Sequence, residues 1–259
     1  MARSNQPTAA FTPEPVRPRR AFEDVILRLR AAVVEGRLAV GNRLPHEREL
    51  AGLFKVSRQS LREGLRMLEG FGILSARRGV GPDSGWIVSG DGTAGLSVLL
   101  DLHTSLKRIP MWDVLELREA LETLSARSAV SRASAADRAR LVDLAEQMAQ
   151  VGEAAAFLKL DAEFHVALAR CSGNALAPLF MEAIRESMFR GMLAGFEALP
   201  DWEAERAILV RDHREIANAI AAGDGEAAAA SIGAHIHGFY GRALATHASE
   251  AGFARKAAV

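Results

Sequence analysis

Apolar residues near the N-terminus follow a helical spacing that changes to a strand-like pattern further along the chain. Helices are predicted from Ala21, over about 46–54 and from Ser57 onward, where apolar positions recur every three or four residues. Two short apolar runs, 73–76 and 86–88, come next, with turn-forming residues between them. Three helices followed by a two-stranded hairpin predict a winged helix-turn-helix.

Beyond Leu96 the whole pattern is helical, with alanine-rich segments and leucines at helical spacing. Proline or glycine interrupts the pattern between segments, and the intervening loops are short. No strand-like pattern occurs there, and aromatic residues make up only 6% of the chain, which is typical of an antiparallel helical bundle. The predicted helices span 96–107, 111–131, 134–150, 153–171, 174–197, 201–222 and 225–248.

These elements predict a mainly α protein with two domains. The winged helix-turn-helix is expected over 21–90 and the all-α antiparallel bundle over 96–250, with a linker at 91–95. Residues 1–20 contain four prolines and little apolar periodicity, so they are expected to form a disordered tail. Residues 251–259 are expected to form a second tail.

The net charge of the chain hides a difference between its two parts. The 259 residues include 32 Lys and Arg against 32 Asp and Glu, so the formal charge is zero. Up to Gly92, however, 15 basic residues stand against 10 acidic ones, and the rest of the chain has 17 against 22. A basic first part joined to an acidic second part indicates that nucleic-acid binding is confined to the first third.

Composition also excludes several classes of protein. A single cysteine, Cys171, excludes an intramolecular disulfide and any metal site that needs several thiolates. No run approaches the roughly 18 apolar residues of a membrane span. The polar N-terminus lacks the apolar region of a secretory signal. We therefore expect a cytoplasmic protein with no membrane partner.

The start of the third predicted helix carries side chains suited to reading DNA. Recognition helices place their N-terminal residues at base edges in the major groove. Arg58 and Arg62 can pair with guanine, Gln59 can pair with adenine, and Ser60 adds hydrogen-bonding capacity. Ser57, at the N-cap position, can bind a phosphate. A solvated helix start has a similar composition, but the arginines and glycines at the predicted wing tip favour DNA.

The same part of the chain resembles the DNA-binding domain of the GntR family. The resemblance rests on GNRLPHERELA at 41–51, VSR at 56–58 and LREGLRMLE at 61–69. Two departures stand out. His46 replaces the serine usual in the family and is expected to cap the second helix, and the wing carries extra residues at 82–85. The resemblance implies DNA contacts at Arg48, Ser57, Arg58, Gln59, Ser60, Arg62, Arg78 and Gly79.

One aspartate and three histidines form a candidate metal site in the helical part. Asp161 and His165 are four residues apart, so they share a helix face, and His213 lies on a later helix. His235 and His237 on the last helix point to different sides, and the apolar neighbours favour His235 as the inward one. An Asp–His pair at this spacing is more often a surface pair. Inside a bundle, this set of four suits a divalent metal.

A second resemblance strengthens this interpretation. The segments ELREALE at 116–122, DAEFH at 161–165 and SGN at 172–174, together with His213 and His235, resemble the FCD effector domain of the FadR-type branch of GntR regulators. The resemblance covers about 96–248. It implies a metal site on Asp161, His165, His213 and His235, as in the metal-dependent subset, whose effectors are small organic or sugar acids. We expect Zn²⁺, with Ni, Fe or Mn as alternatives.

Two further residues are predicted to meet the effector. Arg118 could pair bidentately with a carboxylate, although an intrahelical pair with Glu122 at i+4 is the simpler alternative. The resemblance favours an arginine that points into the pocket. Asn218, five residues after His213, is a weaker candidate for the same pocket.

The sequence therefore predicts a ligand-responsive transcriptional repressor and not an enzyme. A homodimer would bind a pseudo-palindromic operator in double-stranded DNA, and the bundle would bind a divalent metal and a small carboxylate effector. Two alternatives remain open. The metal itself could be the signal, or the bundle could be a metalloenzyme fused to a DNA-binding domain.

Overall fold

A computed structural model describes residues 20–77, 85–106 and 108–246, with side chains placed up to Arg242. The chain divides into two compact units, one ending at Gly90 and one beginning at Asp91. The described residues form ten α-helices and one two-stranded sheet. The predicted fold class is confirmed.

The first unit is a three-helix cluster with a hairpin. Its antiparallel strands pair Leu74 with Val88 and Arg77 with Gly85. The backbone of Lys55 is left-handed, at φ 54°, and this turn separates the second helix from the third. The elements are α1 (Ala21–Val34), α2 (Glu47–Phe54), α3 (Arg58–Gly70), β1 (Leu74–Arg77) and β2 (Gly85–Val88).

The winged unit has its own apolar core, which fixes α3 against α1. Leu61 and Leu65 of α3 are fully buried, and Val25 of α1 is buried with them. A side chain at Gly64 would come within 2.9 Å of Val25, so the close approach of these two helices requires glycine. Ser57 caps α3 by accepting a hydrogen bond from the backbone N–H of Ser60 at 3.0 Å. The exposed face of α3 is thereby held rigidly.

The second unit is entirely helical in its described residues. Its helices are α4 (Thr93–Ser105), α5 (Met111–Arg132), α6 (Ala135–Gln150), α7 (Ala154–Cys171), α8 (Leu176–Glu197), α9 (Trp202–Ala222) and α10 (Gly225–Thr246). Helix α5 packs on α7 and α10, α9 packs on α6 and α10, and α8 packs on α4 and α7. Ser134 caps α6, Asp201 caps α9, and Gly223 ends α9 in a left-handed conformation.

Two predictions need correction. Residues 91–95 are not simply a linker, because α4 begins at Thr93, whose N–H donates to the carboxylate of Asp91 at 3.2 Å. His46 occupies the N-cap position of α2, but its side chain makes no capping hydrogen bond.

Among the described helices, none is long and apolar enough to cross a membrane.

Candidate functional site

The predicted DNA-reading residues lie together on the exposed start of α3 and beside it. Arg58, Gln59 and Arg62 are exposed and line one groove, and Arg48 is exposed on α2. Ser60 is half-buried, and its hydroxyl lies 2.9 Å from that of Ser57. This arrangement presents charged and amide groups on a rigid helix end, as major-groove readout requires. Arg78 and Gly79 lie outside the described residues.

The carboxylate of Glu47, at the start of α2, contacts both α3, the predicted recognition helix, and β2 of the predicted wing. The sequence analysis did not identify this residue. Its carboxylate accepts from Nε of Arg62 at 2.5 Å and from Nε1 of Trp86 in β2 at 3.2 Å. Burial raises the pKa of Glu47, but the bonds from Arg62 and Trp86 outweigh burial and hold the pKa below its ordinary value. These partners are 15 and 39 residues away, so no local spacing could have indicated them.

The four predicted metal ligands come together in the helical unit. Asp161 and His165 project from α7, His213 from α9 and His235 from α10, and all four are buried. One potential ligand atom from each lies within 4.8 Å of the others. His237, the alternative on α10, has a side chain that is 65% exposed, against 4% for His235. The structure therefore assembles Asp161, His165, His213 and His235 as one buried cluster.

An oxygen atom lies on the Nδ1 side of each imidazole, and that of His213 forms a hydrogen bond. Nδ1 of His165 lies 2.6 Å from Oε2 of Glu122, and Nδ1 of His213 lies 2.7 Å from the carbonyl oxygen of Leu209. Nδ1 of His235 lies 3.6 Å from Oδ2 of Asp212, which is beyond hydrogen-bond distance. An acceptor at Nδ1, as in His213, favours the tautomer whose Nε2 carries the lone pair. Nε2 of His213 is then available to an ion between the helices, whereas Nε2 of His165 lies 3.1 Å from Nη2 of Arg118.

Burial keeps the three imidazoles neutral. It lowers the pKa of His165, and burial together with the neighbouring His165 lowers the pKa of His213 to about 3. Burial and the neighbouring His213 hold the pKa of His235 well below its ordinary value. Neutral imidazole is the form that ligates a metal.

The donor set fits a divalent metal. Nε2 of His213 lies 3.0 Å from Oδ1 of Asp161, and Nε2 of His165 lies 3.5 Å from the same oxygen. Nε2 of His213 is buried and lacks a hydrogen-bond partner. With Nδ1 protonated, this nitrogen and the carboxylate oxygen face each other as two acceptors, which is unfavourable unless a cation or a proton lies between them. The cluster is compatible with a metal site of mixed imidazole and carboxylate ligands.

Arg118 is fully buried and borders this cluster. Its Nε donates to Glu122 at 2.6 Å, so the intrahelical pair predicted as the alternative does form. Its two other nitrogens reach Nε2 of His165 at 3.1 Å and the hydroxyl of Tyr240 at 3.4 Å. Burial raises the pKa of Glu122, but His165 and Arg118 outweigh burial and hold that pKa below its ordinary value. Arg118 therefore contacts both Glu122, its partner on the same helix, and His165 of the ligand cluster.

Arg185 of α8 is the second buried arginine of the cluster, and sequence reasoning missed it. Its Nη2 contacts Oδ2 of Asp161, and only 3% of the residue is exposed. Burial and the nearby Arg118 lower the pKa of Arg185 to about 9, which leaves it protonated at neutral pH. A signal was present, because Arg185 lies at helical spacing from the buried Met181 and Met188. A charged residue on an apolar helix face is unusual without a buried partner.

A small cavity opens beside the cluster. Its volume is about 10 Å³, and its polar lining includes Arg118, Asp161, His235 and Tyr240. This is room for about one water molecule, so an acid can enter only if the surrounding side chains move apart. Asn218 lies on the exposed face of α9 and is not a lining residue, which corrects its predicted role. Five residues turn a helix through about 140° beyond a full turn, so Asn218 points away from His213.

Comparisons with known proteins agree with both units. The model of the "FCD domain" matches residues 113–238, and that of "Bacterial regulatory proteins, gntR family" matches residues 22–82. A protein of Escherichia coli K12, whose name assigns it to regulation of the L-lactate dehydrogenase operon, is 30% identical over 227 residues, or 85% of each chain.

Another relative and a solved structure extend this likeness. The HTH-type transcriptional regulator LutR of Bacillus subtilis is 30% identical over 210 residues, covering 79% of this chain and 92% of LutR. The structure of a Streptococcus agalactiae GntR protein is 27% identical and superposes with a TM-score of 0.63, covering 88% of this chain and all of that one. The chain therefore belongs to the GntR family of DNA-binding transcriptional regulators and carries an FCD domain.

Proposed function

We propose that the helical unit binds a divalent metal and a small carboxylic acid, and that the bound acid relieves repression by lowering operator affinity. Asp161, His165, His213 and His235 would hold the metal, with Zn²⁺ expected and Ni, Fe or Mn as alternatives. The observation that carries the proposal is the buried Asp–His₃ cluster beside a cavity that Arg118 lines. When bound, the metal would supply a Lewis-acidic centre that attracts an anion.

The contacts of Arg118 suggest how the acid is recognised. Nε2 of His165 has one lone pair, so it cannot accept from Arg118 and ligate a metal at the same time. Metal ligation would leave that N–H of Arg118 free to bind a carboxylate in the cavity, which would have to widen to admit the acid. The name of the E. coli relative, which refers to the L-lactate dehydrogenase operon, supports a small organic acid as effector.

The winged unit would bind a pseudo-palindromic operator as one half of a homodimer. Two-fold symmetry is the common way in which helix-turn-helix proteins place two recognition helices on one face of DNA. Arg48, Arg58, Gln59 and Arg62 are the residues expected to contact DNA, because they are exposed at the start of α3 or beside it. Arg78 and Gly79 complete the proposed contact set from the wing.

The proposal is tested with the full-length protein and a duplex that it selects from a random pool. Metal content is measured by mass spectrometry, and a thermal-shift screen identifies acids that raise the melting temperature. Operator affinity is then measured with metal alone and with metal plus acid. Release of DNA by an acid only in the metal-loaded protein supports the proposal. Release by metal alone identifies a metal sensor, and turnover of the acid identifies an enzyme.

A further inference from the structure

Every buried carboxylate in the described part of the chain already has a cationic partner. Asp161 contacts Arg185, and Glu122 accepts from Arg118 at 2.6 Å. The same holds for the two other buried carboxylates, where Glu205 pairs with Arg242 at 2.6 Å and Asp212 pairs with Arg211 at 2.8 Å. No buried negative charge among these residues is left over for a metal.

The core of the cluster is electrically neutral before any ion enters. Two guanidinium groups, Arg118 and Arg185, balance two carboxylates, Glu122 and Asp161, and the imidazoles are uncharged. Nε, Nη1 and Nη2 of Arg185 are all buried without a hydrogen-bond partner, and Nη2 contacts Oδ2 of Asp161 as an ion pair. Among the described residues, Asp161 is the carboxylate that forms an ion pair with Arg185, and the charge of Glu122 acts on Arg185 from further away.

A divalent ion would add two positive charges to this neutral and buried group. An uncompensated charge away from water is strongly unfavourable. We propose that the helical unit takes up its metal together with an acid that carries two negative charges, and that Arg185 sets this preference. The inference rests on the proposed function, because it specifies the charge of the acid that the same site binds.

Arg185 would act through charge and not through contact with the acid. It is absent from the residues that line the cavity, whereas Arg118 and Asp161 are among them. Without Arg185, the charge of Asp161 would offset one of the two metal charges, and an acid with a single charge would complete the neutralisation. Arg185 therefore affects the selectivity for the acid indirectly, through its ion pair with Asp161.

The test uses two three-carbon 2-hydroxy acids that differ in one group. Tartronate carries two carboxylates, and lactate carries a methyl group in place of the second. Each is titrated calorimetrically into the full-length, zinc-loaded protein and into the zinc-free protein at pH 7.5. The variants are Arg185→Gln, which keeps a hydrogen-bond donor without charge, and Arg185→Lys, which keeps the charge. Arg242→Met is the matched control, since it removes an arginine from another buried carboxylate, Glu205.

The wild-type protein should bind tartronate at least about tenfold more tightly than lactate, and only when zinc is present. The Lys variant and the Arg242→Met control should keep this ratio. In Arg185→Gln the ratio should fall towards one, and zinc alone should bind about tenfold more tightly.

Equal affinity of the wild-type protein for the two acids would overturn the inference while leaving the proposed function intact. An unchanged ratio in Arg185→Gln, or weaker zinc binding by that variant, would also overturn it. Zinc binding with no response to either acid would overturn the inference and the carboxylate effector together. The wild-type comparison is decisive even if a variant fails to fold.

Discussion

Replacing Glu122 by glutamine isolates the cost of leaving two buried groups without a charged partner. Glu122 is fully buried, accepts from Arg118 at 2.6 Å and lies 2.6 Å from Nδ1 of His165. Removing one partner of a buried ion pair typically costs about 3–5 kcal/mol. The amide oxygen of glutamine still accepts from Arg118, so we expect about 3 kcal/mol, the lower end of that range.

This loss converts into a measurable shift in melting temperature. A unit of this size loses about 2–4 °C for each kcal/mol, so Glu122→Gln should lower the melting temperature of the helical unit by about 6–12 °C. Calorimetry on metal-free protein in the presence of a chelator avoids stabilisation by a ligand. The double variant Arg118→Met/Glu122→Leu should recover much of the loss, because it removes both charges.

The control is Glu226→Gln, which breaks a solvent-exposed pair with Arg127 at 2.8 Å. Exposed pairs contribute little, so this change should leave the melting temperature close to that of the wild-type protein. A melting temperature of Glu122→Gln that matches this control would refute the reasoning. It would mean that the buried pair has access to water or that Arg118 finds another acceptor.

Three further predictions concern DNA and metal. Arg62→Ala should weaken operator binding by about 1–3 kcal/mol if Arg62 contacts a base, and unchanged affinity in an anisotropy titration would remove it from the interface. Glu47→Gln should lower the ratio of specific to non-specific affinity, because Arg62 loses its anchor and the surface loses a negative charge. In the folded protein the pKa of Glu47 lies below its ordinary value of 4.5, so the bond between Glu47 and Arg62 is complete above that pH and is lost only as the pH falls further. The ratio of specific to non-specific DNA affinity of the wild-type protein should therefore be constant from pH 8 to about 5.5. His213→Ala should lower metal content and abolish the response to acid while circular dichroism shows a folded protein, and an unchanged metal stoichiometry would exclude His213 as a ligand.

Residues whose role follows from local spacing were predictable from the sequence. Asp161 and His165 lie one helical turn apart, and the apolar neighbours of His235 identified the inward histidine of α10. The break positions, such as Gly223, follow from the backbone conformation that ends a helix. Such features need only the period of a helix and the chemistry of a turn.

Residues whose role depends on contacts between distant segments were not predictable in the same way. Glu47 reaches Trp86 across 39 residues, and Arg185 meets Asp161 from another helix. Asn218 was misplaced because nearness to His213 in sequence does not fix the helix face. The charge balance of the second part of the chain gave no indication that Arg118 and Arg185 would offset the charges of Glu122 and Asp161 inside the cluster.

Operator affinity measured across a matrix of zinc and acid concentrations tests the central claim most directly. The claim is that the helical unit converts metal-dependent binding of an acid into a change in DNA binding. With zinc bound, a saturating acid from the thermal-shift screen should weaken operator binding at least about fivefold, and the same acid should have no effect on zinc-free protein or on His213→Ala. Operator affinity that follows zinc alone, or that ignores every acid that stabilises the protein, would contradict the account.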